Sequence, residues 1–227
     1  GGKNVLLNQF DEKRAVHLID TEKLTYFGSF PPVLERVLDT AKETGLGLES
    51  LQMVYGLEGP QNIQRLQEET SAVFWSGFGQ AETTAFVTAS PASERPGASG
   101  QATLINSVAV VDEVDELVST GEEGEIVVRG ENIFLEYWDM PEATAYAQRN
   151  GWHHTGDIGR FDDQGYLWYV KRKAEKELIK TGGENVYPGE VEKILRKHPE
   201  IVDCCVIGVP DKTWGESVKA ICVVKGG

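Results

Sequence analysis

Long apolar runs are missing from these 227 residues. None approaches the length of a membrane span, so a bilayer location has no support. The first residues also lack a charged segment followed by an apolar one, so a secretory signal is unsupported. Basic residues are scarce: 22 Lys and Arg stand against 36 Asp and Glu, a formal net charge of −14. That balance argues against general affinity for nucleic acid, which needs basic patches to neutralise phosphate. An anionic ligand must instead be held by local devices: backbone N–H groups, a metal ion or a few placed basic side chains. Cysteine occurs only three times, at Cys204, Cys205 and Cys222. The set is odd in number and has no metal-ligand spacing, which excludes a disulfide framework and a thiolate metal site. Cys204 and Cys205 fall in IVDCCVIGV, which reads as a buried strand with reduced thiols, consistent with a cytoplasmic location. Internal repeats and low-complexity tracts are absent.

What remains is an ordinary globular composition, 40% hydrophobic and 26% charged, long enough for one or two domains with a sizeable core. Residues 1–92 alternate short apolar runs with helical patterns. Strands are expected at VLL (5–7), LTYF (24–27), LQMVY (51–55) and AVFWS (72–76). Asp11 can cap a helix to about Glu22, Pro31-Pro32 mark a second helix start, and Pro60 a third. Strand–helix alternation at this spacing implies an α/β fold with a parallel sheet and flanking helices. From 93 to 170 the pattern is mostly β, with VAVVDEV (108–114), EIVVRG (125–130) and GYLWYV (165–170) separated by Gly-rich turns. From 171 to 227 a charged run, KRKAEKELIK, reads as a hinge to a partial small α+β domain. There a helix from about Pro188 should bury Val191, Ile194 and Leu195, and strands should follow at 201–209 and 217–224.

Three stretches carry chemistry. SGFGQAETT (76–84) is a Gly-rich turn after a buried strand, where α/β folds bring backbone close to ligands. Its Gly77-Phe78-Gly79 begins like a dinucleotide fingerprint. The match fails at Glu82, and no acidic residue lies between Pro96 and Val111 to hold a ribose. GWHHTGDIG (151–159) presents Asp157 beside Gly156; a carboxylate there can accept bonds from two sugar hydroxyls, although Asp and Gly also favour plain turns. Adjacent His153 and His154 would point to opposite faces of a strand, one half-buried and one exposed. KTGGENVYPGEVE (180–192) places a Gly-Gly-Glu-Asn loop before an amphipathic helix.

In this order, with Arg172 between the second and third, these stretches resemble the adenylate-forming enzymes and, among them, the AMP-forming acyl-CoA synthetases. The resemblance implies that Phe78 stacks on adenine beside Gly79, Gln80 and Thr83, and that Glu82 coordinates the Mg²⁺ accompanying ATP. A hard cation on polyphosphate typically wants few protein ligands, which agrees. Two departures stand out: Phe78 where Tyr is usual, and Ala81 where Thr or Ser is usual, leaving Thr83 as a candidate phosphate donor. By the same resemblance Asp157 holds the ribose, Tyr169 packs near the nucleoside and Arg172 reaches ribose and phosphate. The run from Lys173 to Lys176 is longer than usual, and another gap placement puts Ala174 at the arginine position. Gly56, Leu57 and Glu58 occupy the place of the adenine strap. Thr181, Gly182, Gly183 and Glu184 line the passage of coenzyme A. Tyr26, Phe27 and Phe30 would wall an acyl pocket or, equally, fill an ordinary core.

The implied reaction is activation of a carboxylic acid with ATP to acyl-AMP, then transfer of the acyl group to CoA. No Ser/Thr/Gly-rich phosphate loop occurs in residues 1–227, and Lys219 and Lys225 lack the context of the family's C-terminal catalytic lysine. The resemblance therefore implies the middle of such an enzyme, with no certain catalytic residue and almost no activity alone. One lost charge donor typically costs about 3–4 kcal/mol. Two other readings stay open: a non-catalytic nucleotide-binding fragment, and an adenylation domain that loads a carrier protein. Neither the acid nor the oligomeric state follows from the residues.

Overall fold

Asp11 opens the first regular element as its sequence dictates. Its carboxylate accepts the Arg14 N–H at 2.8 Å and caps α1 (Glu12–Glu22), which buries Ala15, Val16 and Ile19. The computed structural model describes residues 2–173, 178–182 and 184–225. They form two compact units, residues 1–170 and 171–227.

In the first unit, β1 (Tyr26–Ser29), α2 (Val33–Thr44), β2 (Met53–Gly56), α3 (Pro60–Glu69) and β3 (Val73–Gly79) alternate. β1, β2 and β3 pair in parallel, and β4 (Phe86–Pro91) and β5 (Gln101–Ala102) extend the sheet antiparallel in the order β1-β2-β3-β4-β5. The sheet is thus mixed at the end where a turn replaces a crossover helix. Helical apolar faces close a core of Val16, Ile19, Leu34, Val37, Leu38, Leu51, Val54, Leu66 and Phe74. Residues 5–7 are not a strand: Leu6 is 88% exposed, and no strand among the described residues pairs with it to complete its backbone bonds.

A second, antiparallel sheet follows in the order of its strands, β6 (Asn106–Val111), β7 (Gly124–Gly130), β8 (His153–Phe161) and β9 (Leu167–Arg172). α4 (Pro141–Ala147) precedes β8. The core here is Phe78, Val87, Val110, Ile126, Val128 and Leu167. β3 therefore feeds both cores, Phe74 into the first and Phe78 into the second. His153 and His154 are both buried, at 2% and 3% exposure, rather than divided between core and solvent, because Phe134 and Gln80 cover the first ring and Glu125 and Asp115 the second.

The second unit holds a four-stranded sheet, β11-β10-β13-β12, from β10 (Ile179–Thr181), β11 (Glu184–Val186), β12 (Ile201–Asp211) and β13 (Gly215–Val224), with α5 (Pro188–Leu195). The stretch before α5 is a hairpin rather than a free loop, because Thr181 pairs with Glu184 and Ile179 with Val186. On α5, Val191 and Leu195 are half-buried, whereas Ile194 is 67% exposed. Of the cysteines in this unit only Cys204 is buried; Cys205 is exposed because alternate residues of β12 face opposite ways, and Cys222, opposite Cys204 on β13, is exposed as well.

Candidate functional site

Close approach shapes the turn after β3. A Cβ on Gly79 would stand 2.4 Å from the Ala85 carbonyl oxygen, so only glycine lets the chain fold back there. A single 3-10 turn, Ala81–Thr83, follows, closed by a reciprocal pair in which Thr83 Oγ1 accepts the Gln80 N–H at 2.9 Å. Thr83 is fully buried, and its hydroxyl is engaged by the Gln80 and Ala85 carbonyls. In this state the hydroxyl serves the turn.

Gln80 is the residue that joins the separated motifs. Its Nε2 donates to Asp157 Oδ2 at 2.5 Å and to the Thr155 carbonyl at 2.9 Å, and its Oε1 meets His153 Nε2 at 3.2 Å. Asp157 is 3% exposed beneath this amide. The carboxylate expected at the sugar thus lies next to the Gly79-Gln80 turn, covered by Gln80 in this state.

The Thr155-Gly156-Asp157 turn departs from its strand ladder. β7 pairs regularly with β8 at Val127–His154 and at Glu125–Ile158, and the three residues between oppose Ile126 alone. Gly156 takes φ +71°, a conformation that glycine adopts without penalty. Side chains replace the missing ladder bonds: Thr155 Oγ1 donates to the Ile126 carbonyl at 2.7 Å, and the Gly156 N–H donates to Glu125 Oε1 at 2.8 Å.

Glu82 is half-buried, and Tyr137 Oη donates to its Oε1 at 2.8 Å. Burial, followed by the bond to Glu82, pushes the Tyr137 hydroxyl well above its usual range. The Phe134 N–H and Asn132 Nδ2 tie the same segment to the 81–84 turn, through the carbonyls of Glu82 and Thr83 at 2.7 Å each. Tyr137, Asn132 and Glu125 were not singled out from sequence. Glu125 carried the one available signal, a carboxylate inside the apolar run EIVV. The other two announce themselves only through contacts 49 to 55 residues apart.

Gly56, Leu57 and Glu58 border a cleft of about 430 Å³ together with Ser76 and Gly77. Gly56 has no room for a Cβ, which would fall 1.8 Å from the Ser29 carbonyl. Both Glu58 oxygens are occupied, by Ser29 Oγ at 3.0 Å and Asn62 Nδ2 at 3.2 Å. Phe78 does not border this cleft: it is 8% exposed in the second core, its ring 6.4 Å from that of Tyr169. Strand alternation is the cause, since Gly77 and Phe78 face opposite ways. Tyr169 itself is exposed.

The three expected acyl-wall residues separate likewise. Tyr26 stacks on Tyr55 at 4.8 Å, and Tyr55 meets Phe86 edge-on at 5.4 Å. Phe30 is exposed, and Phe27 packs on the opposite face against the first core. Tyr26 and Phe27, neighbours on β1, point to opposite faces of the strand. In the second unit, Arg172 is exposed at the end of β9, and Thr181, Gly182 and Glu184 form the hairpin turn region. The Gly182 N–H donates to the Trp214 carbonyl at 3.0 Å. Gly183 and Ala174 lie outside the described residues.

Comparison with known proteins gives a consistent picture. The family described as AMP-binding enzyme matches residues 1–138, and the AMP-binding enzyme C-terminal domain matches residues 190–227. A medium/long-chain-fatty-acid–CoA ligase of Mycobacterium tuberculosis is 34% identical over 99% of this chain and 40% of its own length. A feruloyl-CoA synthase of an Amycolatopsis species is also 34% identical, over all of this chain and 47% of its own. Among solved structures, the o-succinylbenzoate CoA synthetase of Bacillus subtilis superposes with a TM-score of 0.77 at 26% identity, covering 97% of this chain and 46% of that one. The chain thus spans less than half the length of these relatives.

Proposed function

The chain belongs to the AMP-binding enzyme family, and on that premise we propose that it is the nucleotide-handling portion of an AMP-forming acid–CoA ligase. The observation that carries this reading is the meeting of two stretches 75 to 77 residues apart, where the Gln80 amide reaches Thr155 and Asp157. Adenine takes the cleft bordered by Gly56, Leu57, Glu58, Ser76 and Gly77. Ribose hydroxyls replace the Gln80 amide on Asp157, exchanging one set of charge-assisted bonds for another. Phe78 supports this site from within the core rather than by stacking.

Glu82 fits a divalent cation on the polyphosphate: it offers oxygen ligands, is half-buried, and is oriented through Tyr137. Mg²⁺ bound there would neutralise developing phosphate charge. In the first half-reaction a carboxylate oxygen of the acid attacks the α-phosphorus and pyrophosphate leaves, giving acyl-AMP. In the second, the CoA thiolate attacks the acyl carbon and AMP leaves. Thr181, Gly182, Gly183 and Glu184 are the proposed passage for the pantetheine thiol. The aromatic row Tyr26, Tyr55 and Phe86 suits an apolar or aromatic acid.

The test is thioester synthesis and pyrophosphate release by the full-length protein, with free CoA and a panel of fatty and aromatic acids, against its Asp157→Ala variant. Loss of a charged ribose contact should cost about tenfold or more in AMP affinity and turnover. Undiminished turnover by the variant overturns the assignment. One observation favours a second reading, nucleotide binding without turnover. Ala81 has no hydroxyl, Thr83 is engaged internally, and Thr84 Oγ1 donates to the Asn132 carbonyl at 2.8 Å. Nucleotide binding with no pyrophosphate release from any acid selects that reading.

A further inference from the structure

We propose that Glu125 is a positioning residue that holds the Thr155-Gly156-Asp157 turn in the shape needed to present Asp157. The inference rests on Asp157 being the sugar-binding carboxylate. It starts from the bulge in β8. Three residues there face one on β7, so the Gly156 N–H has no ladder carbonyl to bond, and Glu125 Oε1 accepts it at 2.8 Å. Without this bond, a buried amide in a left-handed conformation would lack its acceptor, and the turn would relax.

Glu125 is itself held from the other side. It is 5% exposed, and its Oε2 meets His154 Nδ1 at 3.0 Å and Arg149 Nη2 at 3.5 Å. A carboxylate Oε2 only accepts, so this contact calls for the Nδ1–H form of the His154 ring. His154 Nε2 is buried and has no hydrogen-bond partner among the described residues. Arg149 in turn forks onto Asp115 at 3.0 and 3.1 Å, and Asn150 Nδ2 completes Asp115 at 2.8 Å. The guanidinium beside Asp115 holds that carboxyl below its usual range. Asp115, Glu125 and His154 bring ligand-type atoms within 4.8 Å of one another. The Arg149 cation already serves two of these three groups, Asp115 and Glu125, so the cluster works as an internal brace. A buried carboxylate is costly compared with an apolar residue of similar size. Here its strength as an acceptor for a backbone N–H accounts for it.

The test compares wild type with Glu125→Gln, Glu125→Leu and Arg149→Met in the complete chain. Two quantities are read: hydrogen exchange in peptides spanning 153–158, and affinity for AMP against its 2′,3′-dideoxy analogue. Glu125→Leu should speed exchange at the turn by about tenfold or more and bring the preference for AMP close to unity. Glu125→Gln keeps an acceptor oxygen and should fall between. Exchange in α1 and β3 should stay at the wild-type rate, which a general loss of structure would not allow. If Glu125→Leu fails to fold, Glu125→Gln, which weakens the acceptor without emptying the site, carries the test together with Arg149→Met. Turn exchange within about twofold of wild type in the folded variants overturns the proposal. If wild type itself does not prefer AMP to the dideoxy analogue, the sugar-binding role of Asp157 falls, and exchange alone decides whether Glu125 braces the turn.

Discussion

Removing the Gln80 amide should weaken the fold and strengthen nucleotide binding, opposite signs from one substitution. Gln80→Ala deletes the donor to Asp157 Oδ2 at 2.5 Å and the donor to the Thr155 carbonyl at 2.9 Å. A bond to a charged group is worth about 1.5–3 kcal/mol net and a neutral one about 0.5–1.5. Asp157 is 3% exposed, so its carboxylate is poorly hydrated once the amide is gone. Gln80 itself is half-exposed, however, and water entering its place recovers part of the loss. The expected destabilisation is therefore about 2 kcal/mol. Urea unfolding of wild type, Gln80→Ala, Asp157→Ala and the double variant isolates the pairwise term, because the other partners of Asp157 cancel in the cycle. A coupling of about 1–2 kcal/mol is expected. At the same time AMP should bind Gln80→Ala more tightly, since sugar hydroxyls no longer compete with an internal donor. A coupling below about 0.5 kcal/mol, or weaker AMP binding by Gln80→Ala, would refute the reasoning.

Two further outcomes follow from neighbouring geometry. Asp162 accepts from Trp168 Nε1 at 2.9 Å, from the Tyr166 and Gln164 N–H groups at 3.0 Å and from Arg95 Nε at 2.9 Å. Trp168 first, then these others, hold its carboxyl down to about 2, below the ordinary 3.8. A depressed folded value contributes stability above the unfolded value and loses it as pH falls through the folded one. The deficit of Asp162→Asn should thus be largest near neutrality and vanish toward about pH 2 in urea midpoints; a deficit independent of pH contradicts this. Gly182 has φ +58°, and a Cβ there would stand 2.6 Å from Trp214 Cε3. Gly182→Ala should destabilise the hairpin by about 1–2 kcal/mol and, in the full-length protein, slow thioester formation while sparing pyrophosphate release. Equal slowing of both steps rules out a passage role for this turn.

Local chemistry made part of this molecule readable in advance. The Asp11 cap, the proline helix starts and the alternating apolar runs located α1, α2, α3 and the parallel strands, with strand ends displaced by a few residues. These features depend on near neighbours. What depends on distant ones was hidden. Periodicity cannot say that Phe134 and Gln80 cover one face of β8 and Glu125 and Asp115 the other, so both histidines were misjudged. Nor can it say that Phe78 of β3 packs into the second core. The candidate site shows the same division. Asp157, Gly156, Glu82 and Gln80 stand out by residue type in a recognisable order. The bonds that shape them, from Glu125, Tyr137 and Asn132, cross 31 to 55 residues of sequence and have no local signature.

Phe74 and Phe78 sit two pleat repeats apart on a single strand, yet each anchors a different apolar cluster. A thread that runs through two knots transmits a pull on either. Loosening the helix-covered half tugs on β3 and hence on the amide that lies over Asp157, with no firebreak between. Heating should accordingly melt residues 2–170 in one calorimetric step, and substitutions far out in the helical half should still be felt at the sugar-binding turn.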